Sequence, residues 1–445
     1  MNLTSLVSAF GGTVWAALAL VVAVSIIVTV HEYGHYIVGR ICGIHAEVFS
    51  VGFGRTLYAR VDRRGTRWQI AVLPIGGFVK FIGDADAASR PDGSAMRGLS
   101  DEERRHTMPG APLWARAATV AAGPIFNFIL TFAVFAGLTL WNGIATDVPA
   151  VGRMNVTPFV GETLRAGDEL VQVNGAPTPD WQSYFALADK IPGLGEVAYV
   201  VNRDGTQVAV NGSNPLPALV GAVHPNSAAL DAGLQAGDVI LRAAGQEIHS
   251  FAELPPLVEA LAGQAVPLTI WRDGKTFDLT LTPRRTDLPK ADGTFETRWL
   301  IGLSSDALFT PKTRWAGPWE IVTQATEQSW FLGKITLIGM KSVFTGSISS
   351  CSISGPIGMA KVVGAAARSG LEVFIQTIAV LSIGIGLLNL LPIPILDGGH
   401  LVFHAYEAIF RRPPNARVLN FLMTIGLGLI LGLMVFALSN DLLCP

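Results

Sequence analysis

The sequence predicts a multi-pass α-helical membrane protein with four transmembrane helices, a membrane-associated β-sheet and two small β-rich domains. Three observations point there. Of 445 residues, 50% are apolar and only 15% charged, and the mean hydropathy is +0.43, too apolar for an ordinary soluble chain. Four stretches, 13–38, 113–140, 373–391 and 418–438, are nearly free of charge and long enough to cross a bilayer as helices. Between the second and third lies a soluble-looking segment that repeats itself after about seventy residues.

The first span carries the chemistry. Leu6 to Val30 holds no charge, and then His31-Glu32-Tyr33-Gly34-His35 follows before apolar residues resume. Ionisable groups at membrane depth are costly and usually functional. His31 and His35 are four apart, so a helix puts both imidazoles on one face, one turn apart. Two neutral imidazoles so placed can bind one Zn²⁺. Glu32 stands beside them to act as a general base. This is the zinc-protease pattern, histidines flanking a glutamate. Met1 to Val30 lacks a basic leader and a small-residue cleavage site, so it reads as a retained span within segment 1–45.

Segment 46–82 alternates apolar and polar residues. Tyr58-Ala59-Arg60-Val61 and Trp68-Gln69-Ile70-Ala71-Val72 flank Asp62-Arg63-Arg64-Gly65, a hairpin with its turn at Arg64-Gly65. Gly52-Phe53-Gly54 and Pro74-Ile75-Gly76-Gly77-Phe78 mark sharp bends. This is either a small cytoplasmic sheet or one dipping into the membrane beside the metal, with an edge open to an extended substrate. Segment 83–112 is polar and reads as a cytoplasmic loop. The second span, in 113–145, contains Gly123-Pro124 and Asn127; Gly123 and Asn127 share a helical face, which points to close helix packing ahead of a direct catalytic role.

The repeat fills 146–213 and 214–283. Ala166-Gly167-Asp168-Glu169-Leu170 is answered by Ala236-Gly237-Asp238-Val239-Ile240, and Arg203-Asp204-Gly205 by Arg272-Asp273-Gly274. Two β-rich modules follow. The second, with Leu219-Val220-Gly221 and Ala228-Ala229-Leu230-Asp231-Ala232-Gly233-Leu234, resembles the PDZ domains of proteases, which accept peptide ends or extended segments by strand addition. The first resembles them less, because its helix stretch, Phe159 to Arg165, is a poor match. Segment 284–370 comprises a polar connector and, over 315–344, an amphipathic helix suited to the membrane surface.

The third span, in 371–410, runs into Asn389-Leu390-Leu391-Pro392-Ile393-Pro394-Ile395-Leu396-Asp397-Gly398-Gly399-His400. Two prolines break the helix, and irregular backbone at this depth needs protein or a cavity around it. Asp397 inside that break is the natural third metal ligand. His400 and His404, also four apart, are the rivals. Segment 411–445 is a cytoplasmic loop and the fourth span.

Basic residues set the orientation. Arg40, Arg55, Arg60, Arg63, Arg64, Arg67, Arg104 and Arg105 lie between spans one and two, and Arg411, Arg412 and Arg417 between spans three and four. Both segments belong in the cytoplasm. The modules and both termini are then periplasmic in a Gram-negative host, with the active site near the cytoplasmic side of the inner membrane. A net charge of −2 offers no basic surface for nucleic acid. Cys42, Cys351 and Cys444 have no paired spacing, so they make neither a disulfide framework nor a zinc finger.

Together these motifs resemble the site-2 protease family of intramembrane zinc metalloproteases. The resemblance rests on His31-Glu32-Tyr33-Gly34-His35, the Asn389 to Gly399 run, Gly52-Phe53-Gly54, Leu73-Pro74-Ile75-Gly76-Gly77-Phe78-Val79-Lys80 and Ser354-Gly355-Pro356-Ile357. It also rests on the order of spans and modules. It implies that His31, His35 and Asp397 bind Zn²⁺, that Glu32 is the catalytic base, and that Asn389, Pro392 and Pro394 shape the substrate channel. It further implies regulated intramembrane proteolysis in the envelope stress response. The substrates would be single-span membrane proteins: an anti-sigma factor already cut outside, and remnant signal peptides. The alternative is a membrane scaffold whose PDZ pair recruits partners around a vestigial metal site, which gives no reason for His31, Glu32, His35 and Asp397 to occur together. A zinc-dependent transporter is disfavoured because the spans show no repeat.

Overall fold

The computed structural model describes residues 3–84, 100–159, 163–191, 193, 196–224, 227–289, 295–346 and 353–443. Half of the predicted 83–112 loop (residues 85–99), residues 160–162 of the first module, Cys351 and Cys444 lie outside the described residues. The chain divides into two compact units.

The first unit, Met1–Gly137, Val322–Phe344 and Ile353–Pro445, contains the spanning helices. Among the described residues four helical stretches are long and apolar enough to cross a membrane: Gly12–Ile41, Leu113–Asn142, Leu371–Asn389 and Arg417–Leu443. Helix Leu3–Ile41 shows why the first has two faces. Ala19, Ala23 and Ile27 recur every fourth residue and are buried against Val363 and Ile378. Val14, Leu18, Val22 and Ile26 form another such row and are exposed, as suits lipid contact. His31 and His35 continue the buried row, so the packing that seats the helix also aims the imidazoles inward.

Small residues set the helix spacings. A Cβ on Gly364 would lie 2.6 Å from the Ala16 Cα, and one on Gly34 would lie 2.6 Å from the Ala122 carbonyl oxygen. Helix Pro356–Ser369 is a separate element within the 284–370 segment, beyond the connector and amphipathic helix expected there. The Asp441 carboxylate, from the last spanning helix, accepts from the Gly355, Ile357 and Gly358 amides at 2.8, 2.9 and 3.0 Å. A carboxylate there satisfies the orphan donors of a helix N-terminus.

Strands Ala46–Val61 and Arg67–Phe81 form the predicted hairpin. Its turn is tied by Asp62, whose Oδ1 accepts from the amides of Arg64 (2.8 Å) and Thr66 (3.0 Å), with Gly65 at φ +88°. Both strands bend and fold back. Val48, Phe49, Ser50 and Val51 pair with Lys80, Val79, Phe78 and Gly77 on one side and with Arg67, Trp68, Gln69 and Ile70 on the other. Gly52 makes the bend possible: φ is +90°, and a Cβ would lie 2.7 Å from the Leu73 oxygen. Stretch 77–81 therefore ends as an edge, and Phe49, Val79 and Phe81 bury into a core with Tyr36 and Ala115.

The second unit is Leu138–Ile321 with Thr345–Ser352. It holds two four-stranded sheets of the same order. One consists of Ala176–Pro177, Glu169–Val173, Glu196–Arg203 and Thr206–Ser213; the other of Gln246–Glu247, Val239–Ala243, Val266–Arg272 and Lys275–Leu281. The repeat extends to side chains. Arg203 Nε and Nη2 each donate to Asp168 at 2.7 Å, and Nη2 also donates to the Thr163 oxygen. Arg272 does the same to Asp238 at 2.6 and 2.7 Å and to the Gly233 oxygen. Burial pushes the Asp168 carboxyl up, but hydrogen bonds from Arg203 and the Arg165 amide outweigh it and hold it below its ordinary value.

Residues 284–314 are not the plain connector that their polarity suggests. Arg284–Pro289 pairs with Phe295–Leu300. Leu303–Ser305 then pairs with Val220–Val223, Phe309–Pro311 with Val151–Met154, and Thr313–Arg314 with Ile144–Ala145. These strands are too short to show alternation, and the partners that order them lie far away in the chain.

Helix Pro318–Thr345 exposes Trp319, Trp330, Phe331 and Ile335. It falls outside the four candidate spans.

Candidate metal centre

The first spanning helix presents His31 and His35 with their Nε2 atoms 3.1 Å apart. The third span ends at Asn389, and the chain breaks over 390–396 before a new helix starts at Asp397. Pro392 and Pro394 cannot continue a helix. The break is held by its own backbone: Leu396 donates to the Ile393 oxygen, and Gly399 and His400 both donate to the Leu396 oxygen. Glycine is required after Asp397, because a Cβ on Gly398 or Gly399 would lie 2.3 or 2.2 Å from carbonyl oxygens of the break. Asp397 is thus fixed at a helix N-terminus, with Oδ2 3.1 Å from His31 Nε2 and Oδ1 3.5 Å from His35 Nε2.

The donor atoms of His31, His35 and Asp397 lie within 4.8 Å of one another, and this group includes neither His400 nor His404. His35 Nδ1 lies 2.8 Å from the Thr119 oxygen. A carbonyl only accepts, so Nδ1 carries the hydrogen, and Nε2 of the neutral ring is a bare lone pair. That lone pair, the Asp397 carboxylate and His31 Nε2 face one point, an arrangement that a dication satisfies. Two imidazole nitrogens and one carboxylate with a position left open is the ligand set of a catalytic zinc. Gly123 keeps the approach clear: a Cβ there would lie 2.3 Å from His35 Nε2 and 2.7 Å from His31 Nε2. The residues present fit a zinc ion.

Glu32 is half-buried, and its Oε2 accepts from the Val79 amide at 3.1 Å. That amide belongs to the edge stretch of the bent sheet, so the glutamate joins the metal helix to the sheet. A cavity of about 460 Å³ opens here, lined by His31, Glu32, Val79, Asn389 and Asp397 and continuing past His404. Beside it Arg116 donates to Glu407 at 2.6 and 3.0 Å. Asn389 faces the cavity, whereas Pro392 and Pro394 do not line it. Pro394 instead packs where Cβ atoms on Gly399 and Gly426 would be.

A model of peptidase family M50 matches residues 19–433. The chain belongs to this family. The candidate zinc metalloprotease Atu1380 of Agrobacterium fabrum is 36% identical over 423 residues, 95% of this chain and 94% of that one. The regulator of sigma-E protease RseP of Escherichia coli is 34% identical over 458 residues, 96% of this chain and 98% of that one. Among solved structures, the PDZ domain of an SdrC-like protein from Listeria monocytogenes is 20% identical and covers 20% of this chain and 84% of that one. Its TM-score is 0.17, too low to bear on the fold of the modules. This M50 chain is a membrane-embedded, zinc-dependent metalloprotease, and the scaffold alternative falls away.

Sequence gives no sign of the Thr119 carbonyl or the Val79 amide at the site, and marks Gly123 and Asn127 only as a pair on one helical face. Thr119, Gly123 and Asn127 are spaced by four on the second span and form one buried row facing the imidazoles. The spacing of Gly123 and Asn127 is the available signal, and on sequence it favours packing over catalysis.

Proposed function

We propose that His31, His35 and Asp397 hold the zinc ion and that Glu32 is the general base of peptide hydrolysis within or near a transmembrane segment. One observation carries the reading: two buried imidazoles and a half-buried carboxylate from opposite ends of the chain converge within 4.8 Å beside that glutamate. Zinc, when bound, supplies the Lewis acidity that makes water a nucleophile at neutral pH and polarises the scissile carbonyl. Glu32 takes the proton of the attacking water and returns it to the leaving amine. Asn389 contacts the substrate in the cavity, and Pro392 and Pro394 hold the break that carries Asp397.

The substrate is a single-span membrane protein. Its helix hides the carbonyls in intrahelical bonds, so it must unwind before hydrolysis. The edge at 77–81 suits an extended chain. An incoming strand pairing with the Val79 amide would take that donor from Glu32 and leave the carboxylate free for water. By the resemblance to site-2 proteases, the substrate class is an anti-sigma factor already trimmed outside, with remnant signal peptides as a second class. The two modules are PDZ-like and periplasmic, where they admit trimmed substrates. Both termini are periplasmic, and the metal lies near the cytoplasmic side of the inner membrane.

The test uses the full chain in detergent with single-span substrates, both trimmed and untrimmed. Wild type cleaves and stops with chelator; Glu32→Gln retains zinc and loses cleavage, a general base contributing about 10²–10⁴-fold. Wild-type turnover by Glu32→Gln removes the assigned base. Equal cleavage of trimmed and untrimmed anti-sigma substrates removes the filtering role.

A further inference from the structure

The second spanning helix brings one side chain to the metal centre that the donor set does not include. Asn127 is fully buried, and its amide lies 3.1 Å from His31 Nδ1, with Nδ2 as the facing atom. Its Oδ1 is buried with no hydrogen-bond partner. The residue is clamped from behind: the Asn127 carbonyl accepts from Ser382 Oγ at 3.0 Å and from Thr131 Oγ1 at 3.1 Å. Thr131 Oγ1 also donates to the Ala379 oxygen. The second and third spans together therefore fix where this amide stands.

The orientation matters to the ring beside it. With Nδ2 donating to Nδ1, the hydrogen of a neutral His31 sits on Nε2 and points toward Asp397. Zinc on Nε2 requires that lone pair, and the hydrogen must then be on Nδ1. A half-turn of the amide exchanges its two ends at almost no steric change. It presents the unpartnered Oδ1 to Nδ1–H and removes the one orphaned acceptor of this residue. His35 already has the matching arrangement through the Thr119 carbonyl.

We infer that Asn127 is a positioning residue for the metal: its side-chain carbonyl accepts from His31 Nδ1–H and holds that imidazole with Nε2 free for zinc. The inference rests on the assignment of His31 as a zinc ligand. Groups that hold a metal-binding histidine in this way change metal affinity by 10–100-fold when removed.

The experiment measures zinc affinity of the full chain in detergent by chelator competition, with thermal melting of the zinc-free protein alongside. Asn127→Leu keeps the side-chain shape and cannot accept; Asn127→Asp can accept. The inference expects a 10–100-fold weaker affinity for Asn127→Leu and an affinity within about tenfold of wild type for Asn127→Asp, with zinc-free melting showing that both variants are folded. Wild-type affinity in Asn127→Leu overturns it. So does equal weakening in both variants, which marks a packing role. If Asn127→Leu does not fold, retention of zinc by Asn127→Asp supports the inference and its loss there overturns it. His31→Ala tests the underlying assignment separately: unchanged zinc affinity in that variant removes the ligand reading itself, whatever the Asn127 variants show.

Discussion

Replacing Gly123 with alanine separates metal binding from folding. The position is inside helix Leu113–Asn142, where alanine is favoured over glycine by about 0.8–1.0 kcal/mol. Helix propensity alone therefore makes the variant more stable. The added Cβ would nevertheless stand 2.3 Å from His35 Nε2, 2.5 Å from His35 Cε1 and 2.7 Å from His31 Nε2. Ordinary contacts need roughly 3.5–4.0 Å, so each ring must retreat by about an ångström. Neither is free to do so, because His35 is tied to the Thr119 carbonyl and His31 stands against Asn127. Zinc tolerates about 0.2 Å in its ligand distances. A retreat five times larger forfeits at least one ligand. Structural zinc binding of about 10–16 kcal/mol over four ligands gives roughly 3 kcal/mol for each, or about a hundredfold in affinity. The assay is chelator competition on the full chain, with the melting temperature of the zinc-free protein as control. Gly123→Ala should lose zinc at least a hundredfold, while in the zinc-free protein crowding of about 1–3 kcal/mol, partly offset by the helix gain, lowers stability by at most about 2 kcal/mol. Wild-type affinity in this variant would refute the packing argument that puts the donors against the second span.

Further outcomes follow from the same geometry. His400→Gln and His404→Gln should keep one zinc per chain, since neither residue belongs to the converging donor group; metal analysis showing loss in either revives the rival ligand. Arg116→Ala leaves the Glu407 carboxylate, 19% exposed, without its two hydrogen bonds. It should lower stability by about 1.5–3 kcal/mol, read by denaturant unfolding in mild detergent. In the first module, the folded-state value of Asp168 is depressed. Its contribution is therefore complete above the ordinary aspartate value of about 3.9 and is lost as pH falls through the folded value. Asp168→Asn should speed hydrogen exchange in strands Glu196–Arg203 and Thr206–Ser213 at neutral pH. The difference from wild type should vanish in acid, and a difference that grows in acid contradicts the assigned sign.

How much of this was legible in the chain depended on distance along it. His31, Glu32 and His35 could be read because a helix turns spacing into geometry with no help from elsewhere. The hairpin around Asp62-Arg63-Arg64-Gly65 was legible for the same reason, its turn being local. Asp397 was marked by the prolines before it, since irregular backbone in an apolar run needs a cause. Asn127 and Gly123 were visible as a pair on one face, but packing and metal positioning leave the same trace in sequence. Only the arrival of His31 and His35 at that face separates them. The Val79 amide carries no side-chain signal at all. Strands 303–305, 309–311 and 313–314 exist because their partners near 220, 151 and 144 return to meet them, and no local periodicity records that.

The most direct test of the central claim is X-ray absorption at the zinc edge on the purified full chain. Two imidazole nitrogens at about 2.0–2.1 Å and carboxylate oxygen at about 2.0–2.2 Å, with the imidazole signal halved in His35→Ala, are the expected result. A sulfur ligand near 2.3 Å, or a spectrum indifferent to the loss of His35, would contradict it.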